Sequence, residues 1–238
     1  MSVYKIQRRL ASADVDMFLR LKSSALFTMI QESSVAHSEL LGVGRAKTFD
    51  RGLLWVVILQ NAEILRVPVY DETITLETWP GRTMHKLFPR YHRVADENGA
   101  TLINAVSLWS LVDQNTRSAV FPEEYGIFVA EERTGREMAF PTAPSKLAEI
   151  EKLSFTVPYS CVDMNGHMNN AEYISLAEDC VHAAEKGFTL SKIKAEYLSE
   201  VKLGDEIELS VGLKGNKHSV EGCNENRLFR IELDYSED

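Results

Sequence analysis

A short segment with three regularly spaced polar side chains could carry chemistry. It reads Val-Asp-Met-Asn-Gly-His-Met-Asn-Asn over 162–170, with Asp163, Asn165 and His167 at alternate positions. Alternate side chains of an extended backbone point to one side, so these three groups are expected to converge. A carboxylate, an amide and an imidazole that titrates near neutral pH suit acid–base or hydrolytic chemistry. The same residue types are also typical of a turn and a helix cap, which the spacing alone favours.

A weaker copy of this segment lies early in the chain. The tripeptide Val-Asp-Met occurs at 15–17 and again at 162–164, an offset of 162 − 15 = 147 residues. A second match, of 61–65 with 194–198, follows at an offset of 194 − 61 = 133. Two matches in the same order indicate an internal duplication. The early copy has Phe and Arg in place of the amide and the imidazole, so we expect it to be catalytically inactive.

Each copy precedes a predicted helix and a series of predicted strands. Apolar residues recur at three- and four-residue steps over 23–42 and over 170–187, and each stretch ends at a glycine. The strand-like runs that follow would form an antiparallel sheet with one face against the helix, an α+β architecture. We therefore predict an N-terminal domain over 1–120, a linker over 121–151 and a catalytic C-terminal domain over 152–238.

Composition narrows the protein class. The 238 residues allow one large domain or two of about 120 residues each. The formal net charge of −9 argues against non-specific nucleic-acid binding, which needs a basic surface. No run approaches the roughly 18 apolar residues of a membrane span, and the first ten residues lack a hydrophobic signal core, so we expect a cytoplasmic location. The spacings of the three cysteines fit no metal motif, and reduced thiols are expected.

Six separated motifs occur in order along nearly the whole chain. They are Gln-Glu at 31–32, Arg-Gly-Leu-Leu-Trp at 51–55, Thr-Trp-Pro at 78–80, Ser-Leu-Trp at 107–109, Asp-Met-Asn-Gly-His-Met-Asn-Asn-Ala-Glu-Tyr at 163–173 and Glu-Tyr-Leu-Ser-Glu at 196–200. On these motifs the chain resembles the acyl-acyl carrier protein (ACP) thioesterases, in the bacterial branch related to the plant plastid enzymes. The resemblance implies a tandem double hot-dog fold, each half a long helix packed on an antiparallel sheet.

The resemblance also implies an activity and a set of catalytic residues. Proteins of this family hydrolyse the thioester of fatty acyl-ACP to free fatty acid and ACP, which ends chain elongation in fatty acid biosynthesis. Carried over, the catalytic set falls on Asp163, Asn165, His167 and Glu200, with no cofactor and no metal. Val201 stands where the family often has a cysteine, so water is the expected nucleophile. Glu200, directly or through His167, is expected to activate the water, with Asp163 as the alternative general base. Asn165 would position the water or donate to the developing oxyanion, and Asp163 would orient Asn165 or His167.

The first half is expected to shape the acyl-chain pocket, with Met29, Trp55 and Val57 in its lining. The partner that the resemblance implies is ACP carrying a fatty acyl thioester, and a homodimer is a further expectation. Two alternatives stay open from the sequence. One is an acyl-CoA thioesterase with the same chemistry, and the other is a non-catalytic acyl-binding regulator that has kept the fold.

Overall fold

The computed structural model describes residues 3–129, 131, 134 and 138–237. These residues form two α-helices and ten strands. The helices are α1, Ser23–Leu40, and α2, Asn170–Val181. The strands are β1 Tyr4–Arg9, β2 Leu53–Ile64, β3 Thr73–Pro80, β4 Phe88–Ala95, β5 Thr101–Asp113, β6 Glu149–Thr156, β7 Phe188–Tyr197, β8 Glu206–Lys214, β9 Lys217–Cys223 and β10 Arg227–Glu237.

All ten strands belong to one continuous antiparallel sheet, in the order β1-β3-β4-β5-β2-β7-β10-β9-β8-β6. The two halves meet where β2 pairs with β7, with Leu59 opposite Glu196 and Glu63 opposite Lys192. Outward from this junction, the order 2-5-4-3-1 on one side matches 7-10-9-8-6 on the other. Each strand of the first half therefore has a counterpart in the second, as a duplication requires.

The repeated Val-Asp-Met segment forms the same backbone turn in both halves. Asp16 N donates to Arg20 O at 2.8 Å, and Asp163 N donates to His167 O at 2.9 Å. These four positions are related by the offset of 147 residues that the sequence match gives. The turn is thus common to both halves, whereas the amide and the imidazole occur only in the second-half copy.

The main hydrophobic core lies between the helices and the sheet and draws on both halves of the chain. Ile30 of α1 and Ile174 of α2 are 1% and 0% exposed. Phe229 of β10 is also fully buried, and its ring meets Tyr173 of α2 edge-on at 4.8 Å between centroids. The core of the second half therefore lies directly beneath α2, the helix that follows the segment over 162–170.

The second helix is shorter than the sequence predicts. It ends at Val181 rather than near Gly187, because His182 takes a left-handed conformation (φ 53°) and its backbone N–H caps Glu178 O at 3.1 Å. The expectation of one helix over 170–187 is therefore wrong in its C-terminal third.

The linker boundaries also differ from the prediction over 121–151. Strand β6 begins at Glu149, because Glu149 and Glu151 pair with Gly212 and Val211 of β8. Residues 130, 132–133 and 135–137 of the predicted linker lie outside the described residues, as do 1, 2 and 238 of the two predicted domains.

In the part of the chain that the structure describes, no helix is long and apolar enough to cross a membrane.

Candidate active site

The segment over 162–170 folds as a tight turn rather than as an extended strand. Besides the Asp163–His167 backbone bond, Gly166 N donates to Asp163 O at 3.0 Å. Gly166 has a φ of 78°, a left-handed conformation that glycine adopts without a Cβ clash. The expectation that alternate side chains converge along an extended backbone is therefore wrong. The turn instead divides the predicted residues into two pairs, the hydrogen-bonded Asp163–Asn165 pair and the His167–Glu200 imidazole–carboxylate pair.

Asp163 and Asn165 form the first pair. One Asp163 carboxylate oxygen accepts from the Asn165 backbone N–H at 2.8 Å, and the other lies 3.4 Å from the Asn165 side-chain nitrogen. The carboxylate therefore fixes the direction of the Asn165 amide. It joins Asn165 rather than His167, which settles the geometry of a contact that the sequence leaves open.

His167 and Glu200 form the second pair, with His167 Nε2 at 3.1 Å from Glu200 Oε2. The loop after β7 brings Glu200 to the turn. Met168 N donates to Val201 O at 2.7 Å, and the backbones of His167 and Lys202 form an isolated antiparallel β-bridge. The His167 side chain is 19% exposed, and its Nδ1 has no hydrogen-bond partner among the described residues. A proton on Nε2, next to the Glu200 carboxylate, would leave Nδ1 with a lone pair that can accept a proton.

A residue of the first half completes this pair. Arg117 Nη1 donates to Glu200 Oε1 at 2.6 Å, across 83 residues of sequence. Arg117 lies in the turn after β5 and adopts a φ of 55°. Each Glu200 oxygen therefore has its own partner, one in each half of the molecule. Neither spacing nor periodicity could reveal this contact, because it depends on how the two halves join.

The N-terminus of α2 adjoins the turn. Asn169 caps the helix, with its side-chain oxygen accepting from Ala171 N at 3.0 Å. Asn170 then contacts α1, where its side-chain nitrogen donates to Gln31 Oε1 at 3.3 Å. The positive end of the α2 dipole is thereby placed next to the polar pairs, where it favours negative charge.

A cavity of about 550 Å³ opens beside the turn. Its polar end includes Asp163, Asn165 and Asn169, whereas His167 and Glu200 are not among its lining residues. Its apolar wall comes from the first half and includes Trp55, Phe88, Trp109, Pro80, Pro89, Val43 and Leu53. The cavity thus extends from the Asp163–Asn165 pair into the first half of the sheet.

Of the three predicted pocket residues, the cavity includes only Trp55, whose ring meets Phe88 edge-on at 5.0 Å. Met29 is 5% exposed and belongs to the main core, and Val57 is 6% exposed on β2. Neither lines the cavity. These three positions were expected in the lining from the family resemblance, which does not distinguish a core contact from a cavity wall.

The neighbouring thiol is poorly suited to nucleophilic attack. Burial, with the charge of Glu172 as a further cause, raises the pKa of Cys161 above its ordinary value. The Cys161 sulfur lies 4.0 Å from Glu172 Oε2. Within the described residues, no group of three His, Cys, Asp or Glu side chains could hold a metal ion.

The corresponding turn of the first half holds an ion pair instead of catalytic groups. Arg20 Nε lies 3.3 Å from Asp16 Oδ2, and a smaller cavity beside them includes Ser23 and Glu178. The Ser23 hydroxyl donates to Glu178 Oε1 at 3.0 Å. Burial raises the pKa of Glu178 to about 7, and the Ser23 hydrogen bond only partly opposes it.

Glu178 is expected to make stability fall as the pH rises. Between its ordinary pKa of 4.5 and about 7, the folded state holds a proton on Glu178 that the unfolded chain has lost. The free energy of unfolding then decreases with pH, by at most about 1.4 kcal/mol per pH unit from this group. Glu178→Gln should flatten that slope and raise stability at pH 8.

Urea unfolding at pH 5 and pH 8 measures this effect. Glu225→Gln is a matched control, because Glu225 is exposed in the turn between β9 and β10 and its neutralisation should leave the slope unchanged. A Glu178→Gln variant with the wild-type difference between the two pH values would contradict the assignment.

Comparison with known proteins identifies related sequences. A family model described as the acyl-ACP thioesterase N-terminal domain matches residues 1–126, and one described as the acyl-ACP thioesterase C-terminal domain matches 144–236. A chloroplastic acyl-[acyl-carrier-protein] hydrolase of Cuphea viscosissima is 26% identical over 160 residues, which cover 61% of this chain and 39% of that protein. The chloroplastic oleoyl-acyl carrier protein thioesterase 1 of Arabidopsis thaliana is 26% identical over 208 residues, covering 76% and 55%. The chain thus spans about half or less of these relatives' length.

Solved structures share the fold along nearly the entire chain. An acyl-ACP thioesterase from Bacteroides thetaiotaomicron superposes with a TM-score of 0.83 at 21% identity, covering 99% of this chain and 98% of that one. The 12:0-ACP thioesterase from Umbellularia californica gives 0.82 at 19% identity, covering 100% and 98%. The prediction of a tandem hot-dog fold is confirmed.

Proposed function

This chain belongs to the acyl-ACP thioesterase family, and from that premise we propose that it hydrolyses the thioester of fatty acyl-ACP to free fatty acid and ACP. One observation carries the proposal. Asp163, Asn165 and His167 lie on one turn, Glu200 contacts His167 from the loop after β7, and the Asp163–Asn165 pair lines the end of a 550 Å³ cavity with an apolar wall. Such a site offers proton transfer at one end and space for an acyl chain at the other.

Water is the nucleophile in this proposal. His167 Nδ1 accepts a proton from water as the water oxygen attacks the thioester carbonyl carbon. The tetrahedral intermediate then collapses, the carbon–sulfur bond breaks, and the departing sulfur takes the proton back from the imidazolium. The Glu200 carboxylate lies 3.1 Å from Nε2, and its negative charge stabilises the imidazolium. Between the two carboxylates, the geometry favours Glu200 as the partner of the base.

The Asn165 side-chain amide is assigned to donate a hydrogen bond to the developing oxyanion or to position the attacking water. This amide lines the cavity and is oriented by Asp163. An oriented amide donor needs little rearrangement as negative charge develops, which is how such groups stabilise transition states. The α2 N-terminus adds a favourable field at the same end of the cavity.

Arg117 is proposed to position Glu200. Its guanidinium donates to the oxygen that does not face His167, so the carboxylate plane is held from both sides. The pair is partly exposed, with side chains 48% and 36% accessible, so its energetic contribution should be modest. The first half then contributes to the catalytic site as well as to the cavity.

Release of free thiol from purified palmitoyl-ACP tests the function directly. The expected result is turnover on palmitoyl-ACP or a shorter acyl-ACP, with slower turnover on the matching acyl-CoA. Faster release from acyl-CoA would favour an acyl-CoA thioesterase instead. Binding of acyl-ACP without release of thiol would contradict hydrolysis and favour an acyl-binding regulator. The homodimer and the cytoplasmic location stay predictions from the sequence.

A further inference from the structure

A buried cation interrupts the apolar wall of the cavity. Arg90 lies on β4, two residues after Phe88, so both side chains point from the same face of the strand towards α1. Both residues line the cavity. Arg90 is only 6% exposed, and burial lowers the pKa of its guanidinium to about 10. Burying a charged group costs free energy unless hydrogen-bond acceptors and an opposite charge lie next to it.

The protein matches Arg90 incompletely. Arg90 Nη1 lies 2.9 Å from His37 Nδ1 and 3.5 Å from the Thr78 hydroxyl, and Nη2 lies 3.3 Å from the Ser38 hydroxyl. A guanidinium has five N–H donors, so these contacts leave some of them without an acceptor. Among the described residues, Arg90 makes no ion pair with a carboxylate.

The acidic groups of the cavity have other partners or face solvent. Glu39 accepts from the backbone N–H of Arg45 at 2.7 Å, and Glu32 is exposed on α1. Asp163 is held by Asn165 at the opposite end. Among the described residues, no carboxylate of the cavity therefore matches the charge of Arg90.

Arg90 lies well beyond the catalytic turn. On α1, Gln31 contacts Asn170 next to the turn, whereas Ser38 contacts Arg90. The separation of seven positions between them corresponds to a rise of about 10 Å along the helix. A group seated with its thioester at the turn would have to extend into the cavity to reach Arg90.

The Ser38 hydroxyl accepts from Arg90 and donates to Ser34 O at 2.8 Å, so it orients the guanidinium. We propose that Arg90, held by Ser38, forms a polar subsite for an oxygen atom carried on the acyl chain, as a carboxylate, hydroxyl or carbonyl group. The inference rests on the proposed function, because it takes the cavity to hold the acyl chain. A plain hydrocarbon chain would cover the guanidinium and leave it unmatched. An oxygen acceptor at the right depth would gain a charge-assisted hydrogen bond and relieve that cost.

Pantetheine thioesters of matched chain length test this subsite. Three series are compared by kcat/KM for thiol release: plain chains, chains with a terminal hydroxyl and chains with a terminal carboxylate. For at least one length, the wild-type protein should prefer an oxygen-bearing chain over its plain counterpart by about tenfold or more. Arg90→Met, which keeps an unbranched side chain of similar length, should abolish the preference or reverse it.

Two further variants separate recognition from stability. Arg93→Met removes an arginine that lies on the same strand but contacts Glu77 and Thr101 instead, so it should keep the preference. Arg90→Lys keeps a cation without the planar fork and should retain a weaker preference. If Arg90→Met does not fold, the wild-type series and Arg90→Lys still show whether Arg90 sets the preference for oxygen-bearing chains.

The outcomes distinguish this inference from the proposed function. Hydrolysis of plain chains with no preference for oxygen-bearing chains at any length would overturn the subsite and leave the thioesterase function intact. An undiminished preference in Arg90→Met would also overturn it. Absence of hydrolysis for every thioester, in all three series and on acyl-ACP, would instead contradict the function.

Discussion

His167→Ala is expected to lower kcat for acyl-ACP hydrolysis by about two to four orders of magnitude, the usual contribution of a positioned general base. The side chain supplies the one ring nitrogen of the proposed site that is open to accept the proton of water, and alanine cannot replace it. Glu200→Gln should cause a comparable loss. It keeps a polar group near Nε2 but removes the negative charge that stabilises the imidazolium. Single-turnover release of thiol at saturating acyl-ACP measures both effects.

The duplication provides an internal control for this experiment. Arg20 occupies the position of His167 in the first-half turn, and Val67 occupies that of Glu200. Arg20→Ala removes an ion pair with Asp16 but no proposed catalytic group, so kcat should stay within about twofold of the wild type. Equal losses in His167→Ala and Arg20→Ala would mean that the turn matters only for folding.

A graded response at Arg117 gives a second check. If Arg117 only positions Glu200, Arg117→Met should lower kcat by about two- to fivefold, the range of a partly exposed ion pair. Arg117→Lys, which can still reach Glu200 as a cation, should lose less. A loss as large as that of His167→Ala would assign Arg117 a role at the reacting atoms.

Local sequence patterns predicted the parts of this structure that depend on neighbouring residues. The two long helices begin where the apolar period begins, at Ser23 and Asn170. The offset of 147 residues predicted two copies of one turn, and both copies have the same backbone hydrogen bond. Such features are set by hydrogen bonds and periodicity over a few residues, and these can be inferred without the fold.

Features that depend on contacts between distant segments could not be predicted in this way. The pairing of β2 with β7 makes one sheet out of two, and no local pattern specifies which strands become neighbours. The Arg117–Glu200 contact depends on that junction, and so does the placement of Arg90 in the cavity wall. Local patterns do not predict strand β1 either. Four of its six residues are exposed, so the apolar alternation of a half-buried strand is weak there.

Phe229→Ala is expected to destabilise the protein by about 3–5 kcal/mol, the cost of removing a fully buried phenylalanine. The ring fills the space between β10 and α2, and a side chain on Gly222 of the neighbouring strand would collide with it. Alanine would leave a cavity there that the surrounding sheet is too constrained to close. Urea unfolding measures the loss, and Phe128→Ala, at a side chain that is 71% exposed, should change stability by less than about 0.5 kcal/mol.

The same substitution connects the core to the active site. Phe229 packs on Tyr173, which packs on Tyr197 at 5.4 Å, and the Tyr197 hydroxyl lies 3.1 Å from Asn170 O at the start of α2. Loss of the ring should therefore loosen the helix N-terminus that adjoins the catalytic turn. We expect Phe229→Ala to lose kcat well below its unfolding temperature, by more than Phe128→Ala does. Wild-type kcat in a Phe229→Ala protein that is strongly destabilised would show that the turn is held by its own hydrogen bonds alone.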